Sequence, residues 1–333
     1  MKRPALACLL LLLAGANASA DTRVLRLATA APDGTAWARE FRAFSRDVEL
    51  LTHGAVQVKW YFGGIAGDEI AVGGRIHRDQ LDGSASAGML CQQLAPTMKV
   101  TRLPGLYRSH EEAVRVLHRL TPVLTEEFAK EGFAYLGGPN IGPDILLSRR
   151  PIRSFAELKR TKLWHWDIDE TANRAAREAG MLLIPAPIAE ALATYDDGKV
   201  DGFLALPTAA LAFQWSTRAR YLTDLRTEYM CGCLIIANRA FDALASEDQQ
   251  LIRAAAAKAI ARVDEVSRLT DEQLLGGLFV KQGIELVPVT AELRESYQTA
   301  TAEARRKLAA QGWVSPALLQ KVQVMLDEYR ANP

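Results

Sequence analysis

The sequence lacks the signatures by which most enzymes are recognised. It contains no Gly-x-Ser-x-Gly elbow, no His-Glu-x-x-His pair, no Walker loop and no dinucleotide fingerprint after a predicted strand. Its five histidines are scattered, and His110 and His118 lie eight residues apart on predicted helical sequence, as surface residues do. We therefore expect neither catalysis nor a metal centre.

No apolar run is long enough to cross a membrane, which needs about 20 residues. The run over residues 5–14 follows Lys2 and Arg3 and precedes Ala18-Ser19-Ala20. A charged start, a short apolar run and a small-x-small site predict a secretory signal peptide over residues 1–20. A buried N-terminal helix is the alternative, but no amphipathic pattern supports it. We expect cleavage after Ala20 and a protein released into the periplasm.

Neither sign of charge is in excess. The chain has 40 Lys and Arg against 39 Asp and Glu, which gives a formal charge of +1. Loss of residues 1–20 removes Lys2 and Arg3 and leaves a mature chain near −1. That balance provides no electrostatic attraction to nucleic acid or to an anionic membrane surface. We therefore expect no nucleic-acid partner.

Cysteine is scarce, and its number is odd once the signal peptide is removed. Cys91, Cys231 and Cys233 remain, so at least one thiol is free or pairs outside the chain. The Cys231-Gly-Cys233 segment lacks a second ligand pair and a nearby histidine, which argues against a zinc site. In an oxidising compartment Cys91 could form a disulfide with either Cys231 or Cys233, and the sequence does not decide between the two pairings.

Strand and helix patterns alternate in the first third of the chain. Residues 24–29 and 56–61 have strand patterns, and a short buried strand from residue 81 enters a small-residue loop at Met89. With the helical patterns between them, this order predicts a parallel sheet covered on both faces. Thr121-Pro122 predicts the start of a new helix. A second alternating series over residues 133–204 predicts another α/β unit.

Length and one long helix predict two lobes. The 313 residues left after cleavage exceed what one hydrophobic core usually holds. The amphipathic pattern over residues 247–279 is longer than ordinary globular helices and predicts a helix shared by both lobes. The expected division is lobe I over residues 21–143 plus about 235–280, and lobe II over 144–234 plus about 281–333. Ligands of such sheets bind beyond the carboxyl ends of the strands, so the cleft between lobes is the expected site.

Several segments together resemble one family of transport proteins. They cover residues 25–37, 63–69, 95–96, 103–107, 152–163, 193–202, 237–241 and 249–252. In order and spacing they are similar to the periplasmic solute-binding proteins of TRAP transporters, the DctP type. The resemblance implies a two-lobed α/β fold of the type II-like periplasmic binding proteins, closed about a hinge. It also implies a small-molecule ligand, a TRAP-type membrane permease as partner, and no cofactor.

The chain departs from that family where relatives bind carboxylates. Typical members carry an arginine at the position of Trp164, directly after Lys-Leu, and a second arginine at the position of Asp144. An asparagine common after the family's Asp-Gly is replaced by Phe203, with Leu206 close behind. Because a carboxylate buried without a guanidinium partner is costly, we expect the ligand not to be a simple dicarboxylate or sugar acid.

An apolar or amphipathic ligand is the first interpretation, but others stay open. The two indoles of Trp164 and Trp166 share a strand face and, with Asp144 or Asp167, could instead hold a cation. An organic acid and a ligand-sensing role remain alternatives. An apolar cargo would also be compatible with a periplasmic helical-repeat partner protein. The candidate ligand-binding residues are Trp37, Met89, Asp144, Trp164, Trp166, Phe203, Leu206 and Trp215, whereas His165 is predicted to be structural.

Overall fold

The computed structural model describes residues 22–332, so the predicted signal peptide over residues 1–20 lies outside them. The fold is mixed α/β. The strands are β1 Arg23–Ala28, β2 Val56–Tyr61, β3 Gly83–Ser86, β4 Phe133–Gly137, β5 Asn140–Pro143, β6 Ile145–Ser148, β7 Lys162–Trp166, β8 Leu182–Ala186, β9 Gly202–Ala205, β10 Tyr221–Thr223, β11 Tyr229–Cys231, β12 Cys233–Ala237 and β13 Glu285–Val287.

The α-helices are interleaved with these strands, and three short 3₁₀ or π-helical segments lie at Ile188–Glu190, Trp215–Thr217 and Leu274–Leu278. The α-helices are α1 Ala36–Leu51, α2 Glu69–His77, α3 Met89–Leu94, α4 Met98–Thr101, α5 His110–Lys130, α6 Phe155–Leu158, α7 Glu170–Glu178, α8 Ala191–Asp196, α9 Pro207–Ala212, α10 Asn238–Phe241, α11 Ser246–Gln273, α12 Phe279–Lys281, α13 Ala291–Ala310 and α14 Pro316–Ala331.

The first lobe is built on a five-stranded sheet in the order β2-β1-β3-β12-β4. Strands β1, β2 and β3 are parallel, as the alternating pattern predicts. Strand β12 then pairs antiparallel to both β3 and β4, so the sheet as a whole is mixed. Helix α1 covers one face because Thr35 caps its first turn and its apolar side chains recur at helical spacing, at positions 37, 41, 44 and 48.

The second lobe is built on a six-stranded sheet in the order β13-β10-β6-β9-β7-β8. Strand β7 lies parallel to both β8 and β9, while β6 runs antiparallel to β9. The carboxyl ends of β7 and β9 therefore point to the same edge of the sheet. That edge faces the first lobe and supplies the site described below.

Two paired strands connect the lobes. Strand β5 leaves the first sheet for the second, and β11 returns, and the two form an antiparallel ribbon with an irregularity between Met230 and Cys231. When two lobes close about a hinge, a few residues in the connecting segments take up the change in backbone angles. We therefore take the β5–β11 ribbon as the hinge.

Helix α11 spans both lobes, as its length predicts. It packs on α1 and β4 of the first lobe and reaches β5 and α9 at its other end. The predicted helix over residues 247–279 is interrupted by a π-helical segment, Leu274–Leu278, in which Gly277 has a φ of 136°. Such segments kink helices. No helix among residues 22–332 is both long and apolar enough to cross a bilayer.

One predicted boundary is wrong. Thr121-Pro122 does not begin a helix, because α5 runs unbroken from His110 to Lys130 with Pro122 inside it. Pro122 is exposed, so the carbonyl that loses its hydrogen bond can turn to solvent. Packing of the buried face of α5 against β4 keeps the helix continuous across the proline.

A carboxyl group on α11 is buried against the hinge. Asp271 accepts a hydrogen bond from Thr208 Oγ1 at 3.1 Å, and a Cβ at the hinge residue Gly142 would lie 2.2 Å from its Oδ2. Burial raises the pKa of Asp271 to about 8. Two turns earlier, Asp264 accepts from the Asn140 amide at 2.7 Å, and burial raises its pKa to about 7.

The disulfide joins Cys91 to Cys233, and Cys231 is a buried free thiol. Of the two pairings that the sequence leaves open, the structure therefore has the one that ties α3 to β12 inside the first lobe. The bridge closes a loop across 142 residues. In the chain-entropy model, closing so long a loop removes much freedom from the unfolded chain.

Loss of this bridge should destabilise the protein strongly. A Cys91→Ala, Cys233→Ala double variant should lose about 2–5 kcal/mol of unfolding free energy, and its Tm should fall by about 5–10 °C. Thermal unfolding with and without reductant measures this: the wild type and Cys231→Ala should respond to reductant, and the double variant should not. A Cys231→Ala variant insensitive to reductant would contradict the pairing.

Stability should fall with rising pH because of Asp271. The Asp271 carboxyl has a pKa of about 8 in the folded protein and of about 4 in the unfolded chain. Its ionisation therefore lowers the unfolding free energy by nothing below pH 4 and by the full amount above pH 8. The unfolding free energy of Asp271→Asn should therefore rise relative to that of the wild type between pH 5 and 8, by about 1 kcal/mol per pH unit. Urea unfolding at several pH values measures the difference. A difference between Asp271→Asn and the wild type that does not vary with pH would refute the assignment.

Candidate functional site

A cavity of about 1070 Å³, including the space at its mouth, lies between the two lobes. Its wall is formed at the carboxyl ends of strands β1 and β3 in the first sheet and of β7 and β9 in the second, and by α1, α9 and α11. This is the position at which open α/β sheets bind ligands. Almost all of the wall is apolar.

Six of the eight candidate residues lie on the cavity wall. They are Trp37, Asp144, Trp164, Trp166, Leu206 and Trp215. The remaining two are set back from it. Phe203 forms a layer behind the wall, stacked on Trp215 with ring centroids 5.3 Å apart. Met89 is buried in the same apolar cluster at the start of α3.

The indoles of Trp164 and Trp166 reach the wall because alternate residues of a strand share a face. Strand β7 sets them opposite Ile184 and Ala186 of β8. Trp164 packs on Trp215 with ring centroids 4.6 Å apart, and only 2% of its surface is exposed. Its Nε1 has no hydrogen-bond partner among the described residues. Trp164 thus belongs both to the cavity wall and to the core of the second lobe.

Trp37 contributes from the first lobe and is fixed by a hydrogen bond. Its Nε1 donates to Ser267 Oγ of α11 at 2.9 Å. The ring is therefore held between α1 and α11 with its apolar surface toward the cavity. A buried indole whose N–H is satisfied in this way adds apolar wall without an unpaired donor.

The cavity wall also includes residues that were not among the sequence-predicted candidates, and most of them are marked by no sequence pattern. Phe41 could be found from its helical spacing after Trp37 on α1. Phe213 follows α9, which begins at Pro207 in the favoured first position. Others come from segments distant in sequence and meet only in the fold, namely Ile141, Ile188, Met230 and Val263.

Below the cavity lies a buried ionic group, here called the Arg102 cluster. Arg102 Nη2 is 2.7 Å from Asp144 Oδ2, and its Nε is 2.7 Å from Asp169 Oδ2. Glu228 Oε1 lies 3.7 Å from the same guanidinium. The cluster consists of Arg102, Asp144, His165, Asp169 and Glu228, all of them buried. Sequence reasoning missed it because its members come from four separate segments.

Burial and mutual attraction set the charges of the cluster. Burial opposes the charge of Arg102, but Asp169, Glu228 and Asp144 hold its pKa well above the usual value. Burial raises the pKa of Glu228 well above its usual range and so favours the protonated carboxyl. Burial lowers the pKa of His165, which keeps the imidazole neutral. The predicted structural role of His165 is thus a place in this cluster, next to the cavity wall.

The same residues could in principle hold a metal ion. Ligand atoms of Asp144, His165 and Glu228 lie within 4.8 Å of one another. Arg102 Nη2, however, is 3.5 Å from His165 Nε2 and closer still to Asp144. The guanidinium already occupies the position that a cation would take. The donor set therefore does not fit a metal centre.

Solved structures of similar fold come from several bacteria. A TRAP periplasmic solute-binding protein from Haemophilus influenzae with bound L-gulonate matches with a TM-score of 0.84 at 16% identity, over 92% of this chain and 99% of that one. A Bordetella pertussis extracytoplasmic solute receptor binding pyroglutamic acid gives 0.83 at 18%, over 91% and 99%. A Desulfovibrio desulfuricans protein with bound sn-glycerol-3-phosphate gives 0.83 at 20%, over 92% and 97%. At these identities the likeness shows the two-lobed fold.

The family follows from the sequence match. The model of bacterial extracellular solute-binding protein, family 7, the DctP family, matches residues 27–311. No curated protein matches the chain. The chain therefore belongs to family 7 of the bacterial extracellular solute-binding proteins, and it is a periplasmic binding protein of the TRAP type rather than an enzyme.

Proposed function

We propose that the chain captures a small apolar or amphipathic molecule between its lobes and presents it to a TRAP-type membrane permease. The observation that carries this proposal is the cavity wall, which both lobes line with aromatic and aliphatic side chains. A permease partner is expected for the family. A periplasmic helical-repeat partner belongs to the proposal as well, because an apolar cargo needs shielding from water on release.

The hydrophobic effect gives an apolar ligand its affinity for such a wall. Apolar surface removed from water contributes about 25 cal/mol per Å². Four tryptophans on the wall, Trp37, Trp164, Trp166 and Trp215, provide large rigid surfaces with little conformational entropy to lose. A sugar acid in the same place would leave its hydroxyls without partners and would lose that gain.

An organic acid is disfavoured by the chemistry of the cavity floor. The relatives described above have bound L-gulonate, pyroglutamic acid and sn-glycerol-3-phosphate, all of which carry negative charge. Here Trp164 stands where the family resemblance places an arginine. The nearby guanidinium of Arg102 is already paired with Asp144 and Asp169. The described residues of the cavity wall include no lysine or arginine, so a ligand carboxylate would meet no cation on that wall.

Identification of the natural ligand tests the proposal directly. The protein is purified from a bacterial periplasm without denaturation, weighed by native mass spectrometry, and extracted with organic solvent. We expect a co-purified molecule of mainly apolar surface. Recovery of a sugar acid or dicarboxylate instead, with submicromolar affinity by calorimetry, would refute the apolar class while leaving the family assignment intact.

A substitution that fills the cavity should abolish binding without unfolding the protein. Ala209 lies on the wall and is only partly buried, so Ala209→Trp should project an indole into the cavity. We expect at least a tenfold loss of affinity for the extracted ligand, with little change in Tm. Calorimetry and thermal unfolding measure the two effects.

The matched control for this variant is Leu211→Trp, on the same helix but exposed and away from the wall. It should bind as the wild type does. Equal affinity of both variants would place the ligand elsewhere. Trp164→Ala is a poorer probe, because its indole also packs in the core of the second lobe.

A further inference from the structure

The inner wall of the cavity includes the acidic member of a buried ion pair but not the guanidinium paired with it. Asp144 and His165 lie on the wall, whereas Arg102 does not. Asp144 also engages Arg102 through its Oδ2. A molecule in the cavity therefore meets the negative partner of this ion pair first, and the positive partner is held behind it.

The Arg102 cluster also carries more negative than positive charge. Arg102 is paired with two carboxylates, Asp144 and Asp169, and a third carboxyl group, Glu228, lies 3.7 Å from the same guanidinium. Among residues 22–332 no second lysine or arginine lies within ion-pair distance of these three groups. The paired carboxylates therefore outnumber the one guanidinium, and this excess of negative charge is buried beneath the apolar wall, where charge is costly without a partner.

Three buried polar atoms of the cluster lack a partner among residues 22–332. Arg102 Nη1, Glu228 Oε2 and His165 Nδ1 make no hydrogen bond to any described residue. Native proteins pair nearly all of their buried polar groups, so unpaired ones indicate a missing partner. The unpaired atoms belong to the cluster that carries the excess charge, and two members of that cluster, Asp144 and His165, lie on the cavity wall.

Building on the proposed function, we infer that the ligand carries a protonated amine, so that an ammonium group lies at Asp144 while an apolar body fills the space between the tryptophans. An ammonium group neutralises the excess charge and donates up to three hydrogen bonds. The neighbouring indoles of Trp164 and Trp166 attract cations through their ring faces. A neutral body with the same shape would gain only the apolar contacts, and an anion would be repelled.

A series of three probes with one apolar body separates these cases. Octylammonium, 1-octanol and octanoate are titrated into the mature protein at pH 7 by calorimetry. We expect octylammonium to bind at least about tenfold more tightly than octanol, since a hydrogen bond to a charged group is worth that much. Octanoate should bind more weakly than octanol. Octanoate binding as tightly as octylammonium would overturn the inference.

The variant Asp144→Asn assigns the preference to one residue. It should bring octylammonium down to the affinity that octanol has for the same variant, so the ratio of the two affinities reports the loss of the carboxylate whatever happens to the shape of the cavity. The control is Asp242→Asn, an exposed carboxylate at the end of α10, which should leave all three affinities unchanged. An undiminished preference for octylammonium in Asp144→Asn would also overturn the inference.

Failure of the inference differs from failure of the proposed function. If all three probes bind with equal affinity, the cavity takes apolar molecules but does not select a cation. If none binds, the proposed apolar class is itself wrong, and the inference falls with it. Should Asp144→Asn fail to fold, the ranking of the three probes on the wild type decides alone.

Discussion

The buried ion pairs of Arg102 are the interaction on which the arrangement of the lobes depends. Arg102 follows α4 of the first lobe, whereas Asp144 follows the hinge strand β5 and Asp169 caps α7 of the second lobe. One guanidinium thus connects both lobes and the hinge. Removing one partner of a buried pair leaves an uncompensated charge, which typically costs 3–5 kcal/mol. The cluster therefore constrains the geometry of the cavity floor as well as its charge.

The hinge combines two backbone strands with a tightly packed side chain. Gly142 has a φ of 119°, and its missing Cβ makes room for Asp271 of α11. Any other residue here would adopt an unfavourable positive φ, and its Cβ would displace the Asp271 side chain. Because Asp271 also bonds to Thr208 of α9, the end of the helix is coupled to the second lobe. Movement of the lobes is therefore expected to change the surroundings of this carboxyl group.

Local patterns predicted those parts of the molecule that depend on local physics. The parallel order of β1, β2 and β3 follows from alternating strands and helices, and the shared face of Trp164 and Trp166 follows from the two-residue repeat of a strand. The continuous helix through Pro122 was not predictable from its local sequence, because packing outweighs the proline. The Arg102 cluster was not predictable either, since no periodicity links residues so far apart.

The disulfide joins two residues of the same lobe and stands directly beside a third cysteine. Cys231 belongs to the hinge strand β11, only two positions before Cys233. During oxidation in the periplasm, Cys91 can react with either thiol, and the wrong product would tether α3 to the hinge instead of to the sheet. Correct maturation then depends on reshuffling by thiol exchange, which takes seconds to hours without help. The yield of active binder should thus respond to the disulfide isomerase capacity of the cell that produces it.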